Sequence, residues 1–387
     1  MIKILTVVGA RPQFIKAAAV SRAIRQKFRS EISEVLLHTG QHYDPGMSKV
    51  FFEELGLPKE DYNLNVGSGT HAVQTSAIMV GVEEILLKEK PDYLLLYGDT
   101  NSTLAGAVAA SKLHIPIIHV EGGVRSYLKE MPEEINRLIC DHLSTLIFVP
   151  TKSGVESLWS EGFKKDNEPP FSADNPKVYH CGDIMYDNSL LLAEVAKNKS
   201  TILDQLQLRN QKFALVTMHR PSNVDDPEVL GKLFQSFSKL ATENSMTMVV
   251  PLHPRTTKVF NEKVSEEIKR NVLANKLVKI IPPVSFLDIT ALEMQAEIII
   301  TDSGGVQKEA YFFKRACIIM LEKTPWIELE QSGAAIVTGS DTDKIKLAFT
   351  KLLGDRNQMT FPEIFGDGKA SYFICEKIKE DFSHHSR

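Results

Sequence analysis

The segment 301–309, TDSGGVQKE, has the residue types of a phosphate-binding site. An apolar run enters it, Gly304 and Gly305 let a ligand approach the backbone, and a helix is predicted to begin there. Free N–H groups and the positive end of a helix dipole bind phosphate. Glu309 would lie about one and a half turns into that helix, where it could accept bonds from ribose hydroxyls. No GxGxxG follows a predicted strand and no GxxxxGK loop occurs, so a nucleotide diphosphate fits better than nicotinamide or ATP chemistry.

Similar polar motifs follow the apolar runs of the first half, at residues 9–16, 98–102, 121–125 and 131–137. Arg11 and Lys16 would add positive charge near the same phosphates, although each could instead be a surface charge. A turn alone would explain Gly98. Glu133 and Glu134 could simply favour the dipole of the helix that they open. Taken singly, these residues therefore do not establish a site.

Two further motifs, at 219–220 and 253–255, follow apolar runs of the second half. His219 and His253 could each be a hydrogen-bonded core histidine. Ligands of open parallel sheets bind beyond the carboxyl ends of the strands, however, and nearly every predicted strand ends in a polar motif. This accumulation predicts that two facing sheets present the motifs to one cleft.

The elements that would position these motifs are short apolar runs that alternate with helical patterns. The runs are 2–8, 35–38, 93–97, 115–120 and 146–149, then 213–217, 246–251, 278–281, 297–301 and 316–320. The stretches 17–29, 71–87 and 133–143 have helical periodicity. Runs that are apolar on both faces and separated by helices indicate parallel sheets covered on both sides. The pattern predicts an α/β protein with two doubly wound, Rossmann-like domains.

A domain boundary is predicted in the polar, proline-containing stretch 164–176. The first domain would span 1–175 and carry most of the polar motifs with acidic residues, and the second would span 176–367 and bind the nucleotide diphosphate. A final helix near 371–381 is expected to pack back, so that 368–387 joins the first domain.

The composition excludes several classes of protein. A length of 387 residues favours two domains, and a net charge of −4 without a basic stretch argues against nucleic-acid binding. No apolar run reaches the ~20 residues needed to cross a membrane, and the N-terminus lacks the features of a secretory signal. The four scattered cysteines suggest neither zinc nor a disulfide framework. We therefore expect a cytoplasmic protein.

The order and spacing of eight motifs resemble the non-hydrolysing UDP-N-acetylglucosamine 2-epimerase family over nearly the whole chain. The motifs are GARPQFIK (9–16), GDTNSTLAGA (98–107), HVEGGVRS (119–126), MPEEINR (131–137), TMHR (217–220), LHPR (252–255), TDSGGVQKE (301–309) and FGDGKAS (365–371). The resemblance implies a GT-B-like fold with the active site between two lobes, and a homodimer. It also implies interconversion of UDP-GlcNAc and UDP-ManNAc, which supplies precursors of surface polysaccharide.

The resemblance also implies a mechanism and roles for residues. UDP would be eliminated to give a 2-acetamidoglucal intermediate and then add back, with no metal or redox cofactor. The implied catalytic positions are Asp99, Glu121, Glu133, His219 and Arg137. The implied substrate-binding positions are Arg11, Lys16, His253, Phe286, Ser303, Gly304, Gly305 and Glu309.

Two segments depart from the family's pattern. Many members carry arginines in the stretch that corresponds to 321–328, and here both are replaced. This leaves open a UDP-2,3-diacetamido-uronic acid as the substrate. At 40–45 only Gln41 and His42 match the segment of members with an allosteric site. We therefore predict weak or absent activation by a second UDP-GlcNAc.

Three other classes remain open at the sequence level. A GT-B glycosyltransferase would share the UDP site but transfer the sugar to an acceptor. A hydrolysing epimerase would release UDP and free N-acetylmannosamine. A catalytically inactive nucleotide-sugar sensor would have no need of Asp99, Glu121, Glu133 and His219 together.

Overall fold

The computed structural model describes residues 1–41 and 56–385. It divides the chain into two compact units. The first unit takes its described residues from Met1–Asn188 and Glu363–Arg387, and the second is Ser189–Pro362.

The described part of the first unit is built on a seven-stranded sheet in which every paired strand runs parallel. Its strands are β1 (Ile2–Val8), β2 (Ile32–His38), β3 (Tyr62–Asn63), β4 (Tyr93–Tyr97), β5 (Ile117–Val120), β6 (Leu146–Val149) and β7 (Lys177–His180). The spatial order is β3-β2-β1-β4-β5-β6-β7. All residues of β4, β5 and β6 are buried, as expected for strands covered on both faces.

Helices connect these strands, and several begin directly after a strand ends. They are α1 (Arg11–Ala23, continued by a π-helical turn Ile24–Phe28), α2 (His71–Glu89), α3 (Asn101–Lys112), α4 (Pro132–Leu143), α5 (Lys152–Ser160) and α6 (Ile184–Lys199). Proline near the start of α1 and α4 suits a helix N-terminus, where its missing N–H costs nothing. Thr100 caps α3 by accepting a hydrogen bond from the Thr103 N–H.

The second unit contains a six-stranded sheet, also parallel throughout. Its strands are β8 (Phe213–Thr217), β9 (Thr247–Pro251), β10 (Val278–Ile281), β11 (Ile298–Thr301), β12 (Ala316–Ile319) and β13 (Ala335–Val337), in the order β10-β9-β8-β11-β12-β13. Its helices are α7 (Ile202–Gln205), α8 (Pro221–Val224), α9 (Pro227–Glu243), α10 (Pro254–Lys263), α11 (Glu266–Ala274), α12 (Phe286–Gln295), α13 (Gly304–Phe312), α14 (Ile327–Gln331) and α15 (Thr342–Asp355).

The two sheets share one winding scheme. In each, the first strand has the second and third on one side and the fourth on the other, so the connections reverse direction beside the first strand. Such a switch point opens a crevice at the carboxyl ends of the two strands that flank it. The crevice lies between β1 and β4 in the first unit, and between β8 and β11 in the second. The prediction of two doubly wound α/β units is confirmed.

The units divide at different positions from those predicted. The stretch 164–176 lies inside the first unit because the next segment, Lys177–His180, pairs with β6 as the outermost strand β7. The division falls after Asn188, within helix α6. The chain rejoins the first unit at Glu363, and its last helix, α16 (Ala370–His385), contacts α1 there.

Within the described residues, no helix combines the length and the apolar composition needed to cross a membrane.

Candidate active site

A lysine–glutamate pair lies at the switch point of the first unit. Lys16 comes from α1 and Glu121 directly follows β5, and their Nζ and Oε1 atoms are 2.6 Å apart. Both side chains are largely enclosed, with exposed fractions of 7% and 12%. Gly98 borders the pair, and a Cβ added there would lie 3.1 Å from Lys16 Nζ. The ammonium group is therefore held by Glu121 rather than exposed as a surface charge.

The backbone at Glu121 adopts a left-handed conformation, with φ of 69°. Such a conformation costs a non-glycine residue on the order of 1–3 kcal/mol and persists only where the surroundings enforce it. The N–H groups of Glu121 and Gly122 donate to the Phe148 carbonyl at 3.0 and 3.1 Å, which ties the turn to β6. An enforced turn that presents a carboxylate suits a functional site.

Asp99, which follows β4, is positioned by two consecutive residues of α4. Asn136 Nδ2 donates to the Asp99 carbonyl at 2.8 Å, and the Arg137 guanidinium forms an ion pair with the Asp99 carboxylate. Arg137 also contacts Glu134 at 3.1 Å. The structure thus brings together two predicted catalytic residues, Asp99 and Arg137.

The consecutive acids Glu133 and Glu134 have different surroundings. Glu134 is buried and accepts hydrogen bonds from the Ser126 and Tyr127 N–H groups, each at 2.9 Å. Burial alone would raise the pKa of Glu134, but these hydrogen bonds and Arg137 lower it overall. Glu134 is therefore a charged anchor for the loop, whereas Glu133 is exposed. Of the two acids, Glu133 is the one that a substrate could reach.

At the switch point of the second unit, His219 is held by a buried aspartate. Asp302 follows β11 and accepts from the N–H groups of His219 and Arg220 at 3.0 Å, and from Asn223 Nδ2 at 2.9 Å. Its Oδ1 also lies 3.1 Å from Nδ1 of His219, whose side chain is 52% exposed. Burial would raise the pKa of Asp302, but the His219 and Asn223 hydrogen bonds lower it overall. Asp302 thereby orients an accessible imidazole.

Helix α13 begins directly after Asp302 with the two glycines of the predicted phosphate motif. Ser303 caps it by accepting from the Val306 N–H at 3.4 Å. A Cβ added to Gly304 or Gly305 would meet nothing closer than 3.9 or 3.8 Å. Packing within this unit therefore does not require glycine here, and the absence of side chains leaves the N–H groups of the helix N-terminus open to an anion.

Glu309, in the same helix, is buried and has a second acid nearby. Burial, and then the charge of Glu309, raise the pKa of Glu293 far above its ordinary value. Burial therefore favours the neutral form of Glu293, which adds no negative charge beside a site proposed for an anion.

The other predicted binding residues lie where helices begin after strands. Arg11 is the first residue of α1, Phe286 is the first of α12, and His253 is the N-cap of α10. Arg11 and His253 are exposed and Phe286 is half-buried. His253 Nδ1 accepts from the Arg255 N–H at 3.3 Å. Neither His219 nor His253 is a core histidine.

Of the two segments that depart from the family's pattern, the structure describes 321–328 completely but only the first two residues of 40–45. Of 40–45, residues 42–45 lie outside the described residues. Gln41 is buried and accepts from the Ser102 N–H and hydroxyl at 3.1 and 2.7 Å. In 321–328, Trp326 is buried with Lys308 Nζ 4.1 Å from its ring centroid, and Thr324 donates to Gln307 at 2.5 Å. The segment is thus anchored on α13.

Sequence reasoning missed the buried partners of these groups, Asp302 and Asn136, and also a completely buried pair formed by His119 in β5 and Asp141 in α4, whose Nδ1 and Oδ1 atoms are 2.7 Å apart. His119 gave a usable signal, because a single histidine in a strand that is apolar on both faces needs a buried polar partner. Asp141 gave a similar but weaker signal within the helical pattern of 133–143.

Comparisons with known proteins place these observations in a family. A family model described as UDP-N-acetylglucosamine 2-epimerase matches residues 24–379. A Methanococcus maripaludis protein named UDP-N-acetylglucosamine 2-epimerase homolog is 44% identical over 379 residues, covering 97% of this chain and 99% of the relative. The Pseudomonas aeruginosa UDP-2,3-diacetamido-2,3-dideoxy-D-glucuronate 2-epimerase is 41% identical over 376 residues, covering 97% and 99%.

Solved structures agree with this similarity. The Methanocaldococcus jannaschii UDP-GlcNAc 2-epimerase in complex with UDP-GlcNAc and UDP matches with a TM-score of 0.82 at 36% sequence identity. The match covers 98% of this chain and 100% of that one.

Proposed function

The chain belongs to the UDP-N-acetylglucosamine 2-epimerase family, and we propose that it interconverts UDP-GlcNAc and UDP-ManNAc. As a UDP-sugar 2-epimerase it is an isomerase. The observation that carries the proposal is the pair of ion-paired carboxylates at the first unit's switch point, Glu121 with Lys16 and Asp99 with Arg137. A charged carboxylate can accept a proton, and a neighbouring cation can stabilise the charges that change during the reaction.

The proposed reaction is an elimination followed by re-addition. The C2–H bond breaks as a carboxylate takes the proton, the C1–O bond breaks as UDP leaves with the electron pair, and a C1=C2 double bond forms. UDP then adds back to C1 while a proton reaches C2 from the other face. Proton delivery to two faces needs two groups, or a sugar that turns over. We assign this transfer to Asp99, Glu121 and Glu133 without dividing the two faces among them.

The second unit supplies the groups that suit the departing UDP. Elimination builds negative charge on the diphosphate, so groups that favour this charge act most strongly in the transition state. His219, oriented by Asp302, and the N-terminus of α13 at Gly304 and Gly305 fit this role. Ser303 and Glu309 are proposed to bind the diphosphate and the ribose, and Arg11, His253 and Phe286 to complete the site.

A second candidate substrate is a UDP-2,3-diacetamido-uronic acid. Support comes from the segment 321–328, which lacks the arginines of many members, and from the 41% identical relative named for that substrate. The segment rests on α13, beside the proposed phosphate site.

We further propose that two copies of the chain associate through the first unit. Val73, Val80 and Leu87 recur every seven residues along α2, and Ile135 and Ile139 lie one turn apart on α4; all five are exposed. Apolar stripes of this kind mark interaction surfaces. Size-exclusion chromatography with light scattering should give twice the mass of 43.3 kDa. A Val80→Lys, Leu87→Lys double variant should be monomeric, whereas a dimeric variant would exclude the α2 stripe.

A cytoplasmic location and a role in supplying precursors of surface polysaccharide complete the proposal. None of the four cysteines is in a disulfide, which is compatible with a reducing compartment.

Proton NMR of the purified chain with UDP-GlcNAc in deuterated water, without added cofactor or acceptor, tests the proposal. We expect UDP-ManNAc with deuterium at C2. Free N-acetylmannosamine would indicate a hydrolysing enzyme instead. If UDP binds while UDP-GlcNAc stays unchanged, the uronate substrate becomes the better candidate. Absence of UDP binding would contradict the proposed function altogether.

A further inference from the structure

A chain of ionisable groups, most of them buried, lies next to the turns that carry the proposed proton-transfer residues of the first unit. His119, in β5, and Asp141, in α4, are completely buried, with Nδ1 and Oδ1 2.7 Å apart. Asp141 Oδ2 lies 2.7 Å from Arg125 Nη2. Arg125 also contacts Glu161 through two N–H groups, each at 2.7 Å. These four residues form the charge chain.

The charge chain joins the two turns that carry the proton-transfer carboxylates. His119 Nε2 lies 2.7 Å from the carbonyl oxygen of Gly98, the residue before Asp99. Asp141 Oδ2 accepts from the Gly123 N–H at 3.0 Å, two residues beyond Glu121. One imidazole and one carboxylate thus connect the turn after β4 with the turn after β5.

Both ring nitrogens of His119 have close partners. Nε2 faces the carbonyl oxygen of Gly98 and Nδ1 faces Oδ1 of Asp141, each at 2.7 Å. The same carboxylate accepts from the Gly123 N–H and contacts Arg125. The imidazole is therefore fixed at both ring nitrogens between the two turns.

The turn after β5 packs directly on Asp141. A Cβ added to Gly122 would lie 2.6 Å from Asp141 Oδ1 and 2.4 Å from Ile147 Cγ2. A small movement of Asp141 would therefore displace the backbone next to Glu121. Buried ion pairs often stabilise a fold no more than apolar residues of the same volume, so stability alone does not account for this arrangement.

We propose that His119 and Asp141 are positioning residues that hold the Gly98–Asp99 turn and the Glu121 turn in the relative placement needed for proton transfer at C2. The inference rests on the proposed function and adds to it two residues that touch neither the sugar nor the diphosphate.

The first test compares Asp141→Asn, His119→Gln and His119→Leu with the wild type. We expect kcat to fall by ~10- to 100-fold, because displacement of a reacting group by about 1 Å costs roughly that much. KM and the affinity for UDP should change less than about twofold, since most of the groups proposed to bind UDP lie in the other unit and Arg11 lies outside the charge chain. Gln can still donate to Gly98, so His119→Gln should retain more activity than His119→Leu.

Tyr93→Phe is the matched control. Tyr93 lies at the other end of β4 and donates a buried hydrogen bond to Asp381 at 2.6 Å. The Tyr93→Phe variant, like the His119 and Asp141 variants, loses a buried hydrogen bond. Its stability should therefore fall while its kcat stays at the wild-type value. Wild-type kcat in both Asp141→Asn and His119→Leu would overturn the proposal. So would an equal loss of kcat in Tyr93→Phe, since generic destabilisation would then suffice.

Hydrogen exchange separates this inference from the proposed function. In Asp141→Asn, the amides of Gly98 and Gly123 should exchange at least tenfold faster than in the wild type, and in Tyr93→Phe they should not. If the wild type turns over neither UDP-sugar, the proposed function fails, yet this exchange pattern would still support the coupling of the two turns. Unchanged exchange in Asp141→Asn would overturn it whatever the activity.

Discussion

Each unit of this protein uses a buried aspartate to hold a histidine beside its switch point, but the two histidines end in opposite environments. In the first unit, Asp141 holds His119 with no exposed surface and both ring nitrogens committed. In the second, Asp302 holds His219 with half of the side chain exposed. The same contact therefore fixes backbone in one unit and presents an imidazole in the other. What separates the two roles is whether the protein occupies both ring nitrogens.

The glycines of the two switch points differ in the same way. Gly98 has φ of 63°, and Gly122 has side-chain atoms within 2.6 Å of an added Cβ, so the fold itself requires them. Gly304 and Gly305 meet no such constraint. The glycines at the switch point of the first unit therefore shape rigid turns, whereas those of the second leave a helix N-terminus open for a ligand.

The largest expected effect is the loss of kcat when a proton-transfer group of the first unit is removed and the second unit is left unchanged. Glu121→Gln removes a proton-transfer group but little volume, so kcat should fall by about 10³-fold or more. Affinity for UDP, measured by calorimetry, should stay within about twofold. Glu130→Gln, an exposed acid of the same loop, serves as the control with wild-type kcat. Near-normal turnover in Glu121→Gln would remove this residue from the mechanism.

The position of Glu121 at the end of a strand could be predicted from the sequence, whereas its ion pair with Lys16 could not. Glu121 follows a predicted apolar run, and such runs located β1, β4, β6, β8 and β10 with correct limits. The contact between Lys16 and Glu121 joins residues 105 positions apart. It depends on how α1 packs on the sheet, and no local pattern encodes that.

The strands that the sequence did not predict have weak sequence patterns. β3 has two residues, β7 is mostly half-buried, and β13 has one buried residue in three. β3 and β7 lack the continuous apolar pattern of strands covered on both faces, and β13, although apolar, is too short for its pattern to identify a strand. The misplacement of the domain boundary has the same origin, because the polar stretch 164–176 leads into β7.

The second prediction concerns the exposed histidine. His219→Ala should lower kcat by about 10²-fold by removing support for the departing diphosphate. The free energy of unfolding should change little, because half of the side chain is exposed. His142→Ala removes a histidine side chain with the same exposed fraction from the first unit, and its kcat should be unchanged. A large loss of stability in His219→Ala would instead make this histidine structural, like His119.

The third prediction tests the open helix N-terminus of the second unit. Ser303→Ala should weaken UDP binding by about 1–3 kcal/mol through the loss of a hydrogen bond. It also removes a helix cap, which costs about 0.5–2 kcal/mol of stability. Ser265→Ala removes a cap of equal length, 3.4 Å, from α11 of the same unit. It should show the stability loss without the binding loss; equal binding in both variants would argue against a ligand at Ser303.

The smallest expected effect is the loss of folding stability at low pH as Asp141 and Asp302 become protonated. Burial raises the pKa of each, but hydrogen bonds and charges lower it overall, chiefly His119 and then Arg125 for Asp141, and His219 and Asn223 for Asp302. A carboxyl whose pKa is lower in the folded chain stabilises the fold above its unfolded pKa, about 3.9, and this stabilisation is lost as pH falls through the folded value. The contribution of these two carboxylates to stability should thus be level above about pH 5 and fall below pH 4 by at most ~1.4 kcal/mol per pH unit for each group.

The two tryptophans let this loss be followed in each unit separately, because Trp159 lies in the first unit and Trp326 in the second. With Trp326→Phe as background, urea unfolding between pH 3 and 6 reports the first unit, and Asp141→Asn should flatten its pH dependence. With Trp159→Phe as background, urea unfolding reports the second unit, and Asp302→Asn should flatten the pH dependence of its stability. Both aspartates are buried and hydrogen-bonded. We therefore expect the free energy of unfolding to change with pH at a similar rate in the two units, despite the different exposure of the two histidines. If only Asp141→Asn flattens the slope, then folding does not lower the pKa of Asp302, and its imidazole, amide and backbone N–H partners do no more than offset its burial.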